Sequence, residues 1–485
     1  MHDVEVFAVI LTVAAAATVA AVLSNRVSEH IRVPAPVIFL IVAAIASDLA
    51  PGLGDLSVHA VQRVVTLALA VILFDGGLSI GRRRMRDAAG AVVWIGVAGT
   101  FVTAAAMAVL AHWIGGFAWK ASLLLGTALA PTDPAVVFSV LGRREIAGRA
   151  GTILEGESGA NDPVGIALMV VLLTASGSGA RVVGGAVLTF VLQMLIGAAV
   201  GVVGGVLLLR FMRRVSLPNA GLYPIRVLAC ALLLYGVATI AHGSGFLAVF
   251  AAGIVIGDER APYKAEIERF HSSLASLGEI VAFAVLGLTV TLSDLGQHHV
   301  WLIGLALAVL LAAVVRPLLV GLLTVPITLA RGERIFILCA GLKGAVPILL
   351  GTFVLTADGV AHRDRIYGVI FIVVAVSVLV QGSLVPGLAA RVGLPMHVRE
   401  PEPWAVGLRL RDEPEGLRRY VVGAGTPADG STIDALPVGE DVWISLVTRA
   451  GVLVPIRGDT VLVAGDEVLL ITDPAVDPRA VFRTG

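Results

Sequence analysis

The sequence predicts an all-α polytopic membrane protein with a small cytoplasmic α+β domain at its C-terminal end. About 13 transmembrane helices are expected, arranged as two inverted repeats with crossed discontinuous helices. Three observations lead to this prediction. The 485 residues are 57% hydrophobic and only 14% charged, with a mean hydropathy of +0.94, whereas soluble domains carry about 25% charged residues. Runs of about 20 apolar residues recur up to residue 395. Two of these runs are interrupted by proline and charge, and the composition changes beyond residue 395.

The composition also excludes several classes of protein. A disordered chain, a disulfide scaffold and an ordinary cytosolic enzyme do not have so many long apolar runs. Cys230 and Cys339 both lie in apolar stretches, which argues against a disulfide framework or a CxxC metal site. The 35 basic and 35 acidic residues balance, so no nucleic acid partner is indicated. Membrane lipid is the expected surrounding.

The apolar runs define 13 candidate spans. They cover residues 4–23, 33–50, 60–80, 88–112, 119–141, 151–176, 183–210, 223–241, 245–257, 270–292, 300–328, 334–357 and 366–390. Acidic Asp3 and Glu5 precede the first run in place of a basic region, which predicts a retained helix and not a cleaved signal peptide. Loops after odd-numbered spans hold 17 Lys and Arg, and those after even-numbered spans hold four. The N-terminus is therefore expected outside and the C-terminus in the cytoplasm, in a plasma membrane.

Spans 5 and 12 contain residues that unwind a helix. Span 5 holds Pro131–Pro134 and span 12 holds Gly341–Pro347. Proline removes a backbone donor and clashes with the preceding turn. The two spans are seven apart, and an odd offset reverses direction, so spans 1–6 and 8–13 are predicted to be inverted repeats joined by span 7. Paired broken helices of this kind mark the midplane site of a secondary transporter. Two ordinary proline kinks are the alternative.

Span 6 carries the group that we expect to exchange ions. Ser158 and Asp162 are four residues apart and share a helix face, as do Glu157 and Asn161. Pro163 follows Asp162 and frees a backbone carbonyl. Carboxylate, hydroxyl and carbonyl oxygens are hard ligands that suit an alkali cation. Because the same carboxylate can hold a proton, competition between proton and cation at Asp162 would produce an exchanger.

Other charges in the apolar runs are candidates for supporting roles. Asp75 in span 3 is either a second ligand or a cap for a broken helix. Thr132 offers carbonyl or hydroxyl oxygen where span 5 unwinds, and Asp133 either faces the ion or balances the helix ends. Lys343 in span 12 needs a buried counter-charge, for which Glu157 is preferred. Glu279 and Arg316 are candidates for a similar structural pair, which the sequence does not decide.

Two other classes of protein are alternatives to an ion exchanger, a protease and a channel. The segment Gly156–Gly159 matches the G-x-S-G pattern of intramembrane serine proteases, and Ala241–Gly245 supplies a histidine, His242. Both patterns are short in a chain with 55 glycines. A protease would also leave Asp75, Asp133 and Lys343 without a role. An ion channel gated by the C-terminal domain is the second alternative.

The last part of the chain has a different character. Residues 396–418 form a linker between a transmembrane domain at 1–395 and a C-terminal domain at 419–485. Three β-rich runs are separated by turn residues such as Gly451 and Gly458. They are Val442–Val447, Val461–Val463 and Glu467–Ile471. A module this small is expected to contact the membrane domain or a second copy.

Together these residues resemble the NhaP-like branch of the monovalent cation:proton antiporters, and most closely its potassium/proton type. The resemblance rests on Pro131–Pro134, Glu157–Gly159, Asn161–Pro163, Gly341–Pro347, Ala220–Pro224 and Gly243–Val249. The C-terminal part, from Val438 to Ile471, is similar to the C-terminal lobe of RCK (TrkA-C) regulatory domains.

The resemblance implies a homodimer whose core domain of crossed helices moves as an elevator. It implies ion ligands at Asp162, Ser158, Asp75 and the Thr132 backbone. It also implies electroneutral exchange, because Asn161 precedes the key aspartate, and a pair between Glu157 and the basic residue of span 12. That residue is usually arginine and is Lys343 here. K+ or Na+ and H+ are the transported ions and no cofactor is expected. The resemblance also implies that the C-terminal domain regulates transport by binding a small ligand such as a cyclic dinucleotide or a cation, and a purely structural tail is the alternative.

Overall fold

The computed structural model describes residues 19, 34–49, 57–141, 144–146, 149–175, 180–296, 299–398, 416–439, 442–450, 452–473 and 478–482. The chain forms two compact units, Met1–Glu402 and Pro403–Gly485. The described residues of the first are helical apart from loops and two short strands, β1 (Arg144–Ile146) and β2 (Met396–Val398), which pair antiparallel.

Six helices form the first part of the large unit. They are α1 (Ala35–Leu49), α2 (Val58–Val93), α3 (Gly99–Gly115), α4 (Trp119–Ala128), α5 (Ala135–Leu141) and α6 (Arg149–Thr174). A π-helical segment, Trp94–Ala98, joins α2 to α3 without a break. Within α2, Gly81 has a φ of +67°, which kinks the helix between the segments predicted as spans 3 and 4. Glycine suits this conformation because it has no Cβ.

Eleven further helices complete the described part of the large unit. They are α7 (Ala180–Arg214), α8 (Leu222–Ile240), α9 (Gly245–Gly257), α10 (Lys264–Gly287), α11 (Leu292–Leu295), α12 (Val300–Leu310), α13 (Gly321–Leu323), α14 (Arg331–Cys339), α15 (Ala345–Thr356), α16 (Arg363–Val376) and α17 (Gly382–Arg391). π-helical segments at Leu311–Val320 and Ser377–Gln381 make α12 continuous with α13 and α16 continuous with α17.

Six continuous helical stretches in the described residues are long and apolar enough to cross a membrane. They are Val58–Gly115, Arg181–Arg214, Leu222–Ile240, Lys264–Gly287, Val300–Leu323 and Arg363–Arg391. Shorter apolar helices occur at α1, α9 and α15. Every predicted span from the second onward therefore overlaps a helix. The first predicted span lies outside the described residues except for Val19. The total of 13 spans and the inverted repeats remain predictions.

The breaks predicted in spans 5 and 12 are confirmed. Helix α4 ends at Ala128 and α5 begins at Ala135, so Pro131–Pro134 lie between them. Helix α14 ends at Cys339 and α15 begins at Ala345. Pro347 lies in the first turn of α15, where its missing amide costs no hydrogen bond. By contrast, α6 continues through Pro163.

Small residues let several helices pack closely around α2. A Cβ on Gly77 of α2 would overlap the backbone of α9 at Phe250, and a Cβ on Gly253 of α9 would overlap the backbone of α2 at Phe74. Close approach of this kind is how helices associate where there is no water to drive apolar burial. Helix α10 packs on the same α2 and also reaches α15. Helix α10 therefore lies beside the broken helix α15, whereas α9 packs on α2 and α6.

The second unit is a four-stranded antiparallel sheet in the order β3 (Leu417–Val421), β6 (Glu467–Thr472), β4 (Val442–Arg449), β5 (Val452–Val454). Tyr420, Val447, Val468, Leu470 and the α18 (Arg479–Phe482) residue Phe482 form its core. The α+β prediction is confirmed, with two of the predicted runs in β4 and β6. The strand predicted at Val461–Val463 is wrong. That segment makes an isolated antiparallel bridge to Thr432, and its Val461 carbonyl accepts from the Arg449 guanidinium.

Candidate site where the two broken helices cross

The two breaks meet in the interior of the large unit. The backbone amide of Asp133, between α4 and α5, donates to the Leu342 carbonyl, between α14 and α15, over 2.8 Å. This contact joins four helix ends at one place. Each end carries unsatisfied backbone groups and a partial charge. The side chains around the crossing must therefore complement two positive and two negative ends.

Asp133 complements both positive ends. Its Oδ1 accepts from the Ala135 amide over 2.9 Å, and its carboxylate also accepts from the amides of Val136 and Ala345. The first two amides belong to the start of α5 and the third to the start of α15. Of the two roles predicted for Asp133, the structure supports the one that balances helix ends.

Lys343 complements the negative end of α4. Its ammonium donates to the Ala130 and Pro131 carbonyls, each at 2.9 Å, and the side chain is 1% exposed. The Lys343 amide donates to the Ser377 hydroxyl over 3.2 Å, which in turn donates to Gln381 Oε1 over 2.6 Å. The sequence analysis missed Ser377 and Gln381. Two polar residues four apart in an otherwise apolar span were the available signal.

The predicted pair between Lys343 and Glu157 is wrong, as is the pair between Glu279 and Arg316. Arg316 binds Glu157 instead, with its Nη2 at 2.9 and 3.1 Å from the two carboxylate oxygens. The same guanidinium donates to the Ile337 and Leu338 carbonyls at 3.1 and 2.9 Å. A guanidinium has five donors and can serve a carboxylate and a helix end together, which an ammonium does less well.

Asp162 lies on α6 beside the crossing and is 6% exposed. Its charged and polar neighbours are Asp133, Lys343 and the Ser158 hydroxyl. The Asp162 Oδ1 atom is buried and accepts no hydrogen bond from any described residue. A buried carboxylate oxygen without a donor is costly unless a proton or cation occupies it. The carboxylate and the hydroxyl are both hard oxygen ligands, so this group fits a monovalent cation.

Asn161 links α6 to the break in span 5. Its Nδ2 donates to the Thr132 hydroxyl over 2.7 Å, and its Oδ1 accepts from the Thr132 amide over 3.3 Å. Both residues are buried. This double contact fixes the unwound segment against the helix that carries Asp162. The Thr132 carbonyl is left as a candidate ligand.

Asp75 is the predicted ligand that the structure places elsewhere. It is half-buried on α2, and its charged neighbours are Glu155 and Glu268, not Asp162. The crossing brings together the other seven predicted residues. They are Asp162, Ser158, Thr132, Asp133, Asn161, Glu157 and Lys343. In the described residues, no group of three His, Cys, Asp or Glu side chains could hold a transition metal.

Comparison with known proteins places this arrangement in context. Residues 6–391 match the family described as sodium/hydrogen exchanger, transmembrane, and residues 417–476 match the TrkA-C domain. The chain is 35% identical over 366 residues to the K+/H+ antiporter NhaP of Alkalimonas amylolytica, a match that covers 74% of this chain and spans 63% of that protein. It is 32% identical over 460 residues to the K+/H+ antiporter NhaP2 of Shewanella oneidensis, covering 93% and 78%.

The fold has a counterpart among solved structures. The structure of the sodium proton antiporter MjNhaP1 from Methanocaldococcus jannaschii superimposes with a TM-score of 0.68 at 21% identity. The match covers 79% of this chain and 98% of that one. At this identity the similarity concerns the fold.

Proposed function

Because the chain belongs to the sodium/hydrogen exchanger family, whose members are transporters and not enzymes, we propose that it exchanges K+ for H+ across a cell membrane. Exchange of Na+ for H+ by the same residues is the alternative. The observation that carries the proposal is the buried Asp162 Oδ1, which accepts no hydrogen bond from the described residues. A proton or a cation can occupy that oxygen, but not both, and this competition couples their movement.

The surroundings of Asp162 support an alternating site. The Asp133 cap and the Lys343 and Arg316 contacts satisfy four helix ends within the protein. The crossing can therefore keep its shape while its ion site opens first to one side of the membrane and then to the other. We propose that the crossed helices move as one body, in an elevator motion. The Asn161 amide beside Asp162 is neutral and Glu157 is paired with Arg316, so Asp162 is the carboxylate of this α6 segment that exchanges charge. We therefore propose electroneutral exchange of one cation for one proton.

The remaining parts of the proposal concern organisation. We propose that Asp162, Ser158 and the Thr132 carbonyl bind the ion. We also propose a homodimer with the N-terminus outside and the C-terminus in the cytoplasm. The C-terminal domain would regulate transport by binding a cyclic dinucleotide or a cation. The boundaries at residues 395 and 418 remain predictions.

The test is cation-driven proton movement in proteoliposomes, with K+ and Na+ added separately. The variants are Asp162→Asn and, as a matched control, Asp364→Asn at the exposed start of α16. We expect K+ to drive proton release in the wild type and the control but not in Asp162→Asn. Proton release with Na+ but not with K+ would show that Na+ is the transported cation. Transport by Asp162→Asn at the wild-type rate would remove Asp162 from the mechanism. Cation current without proton movement would indicate a channel.

A further inference from the structure

Glu279 lies on α10, outside the helices that cross, and the proposed exchange at Asp162 gives it no role. Its Oε1 is buried and accepts no hydrogen bond from any described residue. The charged group with the largest electrostatic effect on it is Asp133. Helix α10 packs against α2 and α15, so Glu279 approaches the crossing from a neighbouring helix.

The level of Glu279 along the membrane-spanning helices follows from the way α10 packs on α2. A Cβ on Gly278, the preceding residue, would lie 3.4 Å from the Ala68 Cβ. Seven residues away on α10, the His271 ring lies 5.2 Å from the Phe74 ring. The two helices are therefore antiparallel, and Glu279 lies level with the middle of the α2 segment before Gly81. This is the depth expected for a broken-helix site.

The charge balance at this depth is incomplete without an ion. Asp133 is offset by three backbone amides, but no described basic side chain pairs with Glu279. The nearest permanently charged group on its own helix, Arg269, is ten residues away, about 15 Å along the axis. Two buried carboxylates that face each other are unfavourable unless a proton or cation lies between them.

We propose that Glu279 is a second carboxylate of the ion pathway, which holds the cation opposite Asp133 as it travels to and from Asp162. The inference rests on the proposed function, since it assumes that a cation reaches Asp162. Glu279 would set the apparent affinity for the cation, whereas Asp162 couples the cation to the proton. It is thus a positioning residue for the transported ion.

The test compares Glu279→Gln with Glu279→Asp in full-length protein in proteoliposomes. Cation-driven proton movement is measured over a range of K+ concentrations. We expect Glu279→Gln to raise the half-saturating K+ concentration about tenfold, the change that 1.4 kcal/mol of lost attraction produces, with a smaller change in the maximal rate. Glu279→Asp keeps the charge and should restore most of the affinity. Glu266→Gln, the same change in the first turn of α10, is the matched control.

The outcomes separate this inference from the proposed function. A wild-type half-saturating concentration in a folded Glu279→Gln protein would overturn it. An equal loss of maximal rate in Glu279→Gln and Glu279→Asp, with unchanged half-saturation, would also overturn it, since this would show a packing role. If Glu279→Gln does not fold, the neutral variant Glu279→Met takes its place, and a wild-type half-saturating concentration in folded Glu279→Met overturns the inference. No transport by wild-type protein with either cation would instead contradict the proposed exchange.

Discussion

The guanidinium of Arg316 holds the carboxylate of Glu157 at 2.9 and 3.1 Å while it donates to two carbonyls at the end of α14. The two side chains are 5% and 3% exposed. The pair connects α6, which carries Asp162, to the broken helix of the other half of the unit. Such a buried pair does more to fix the arrangement of helices than to add stability over an apolar substitute.

We expect removal of one partner of this pair to be strongly destabilising. Glu157→Gln leaves Arg316 buried without its counter-charge, which costs about 3–5 kcal/mol. The measurement is the thermal unfolding midpoint of purified protein in detergent. Glu259→Gln breaks the more exposed pair with Arg213 and should cost less than about 1 kcal/mol. Equal midpoints for the two variants would contradict a structural role for Glu157.

At position 343, arginine should preserve transport better than a neutral residue of similar length. Lys343→Met leaves the Ala130 and Pro131 carbonyls without a donor and the end of α4 without a positive charge, so we expect loss of transport. Lys343→Arg keeps the charge and can donate to both carbonyls. Proton movement in proteoliposomes and the unfolding midpoint are measured for each. Transport by Lys343→Met at the wild-type rate would show that this contact is dispensable.

Gly344 leaves room for the Asp133 carboxylate, and we expect no larger residue to fit. A Cβ there would overlap the Asp133 side chain, which is held by the starts of two helices. Gly344→Ala should therefore lower the rate of transport. It should also lower the free energy of unfolding by about 1–3 kcal/mol through overpacking. Gly236→Ala is the control, because a Cβ on this α8 residue meets no atom within 4 Å. The unfolding midpoints of the two variants decide the matter, and a wild-type value for Gly344→Ala would mean that the crossing can shift.

The C-terminal unit should lose stability in acid through Asp466. Burial alone would raise the pKa of Asp466, but hydrogen bonds from the Arg449 guanidinium and the Val463 amide lower it below the usual 3.8. A carboxyl whose pKa is lowered by folding stabilises the folded state above its unfolded pKa. This stabilisation disappears as the pH falls through the lowered value.

Asp466→Asn should remove that pH dependence and about 1–2 kcal/mol of stability at neutral pH. The measurement is protease release of the C-terminal unit from full-length protein between pH 3 and 8. Asp459→Asn, at an exposed turn, serves as the control. Identical acid sensitivity in the two variants would show that Asp466 is not the group responsible.

The sequence alone determined the helical membrane fold, the two breaks and the cluster at Asp162. Apolar runs and prolines act locally, so their effects are visible without tertiary information. Four-residue spacing placed Ser158 with Asp162 on one helix face, and α6 keeps that spacing because it is continuous. The TrkA-C type tail was likewise recognisable from its turns and strands.

Only the tertiary structure decided which charges meet. Glu157 pairs with Arg316 and not Lys343, Glu279 faces Asp133 and not Arg316, and Asp75 lies near Glu155 and Glu268. The physical reason is that a buried charge goes to the helix end or opposite charge nearest in space. That proximity depends on how four half-helix ends cross, which residue spacing along a single helix does not specify.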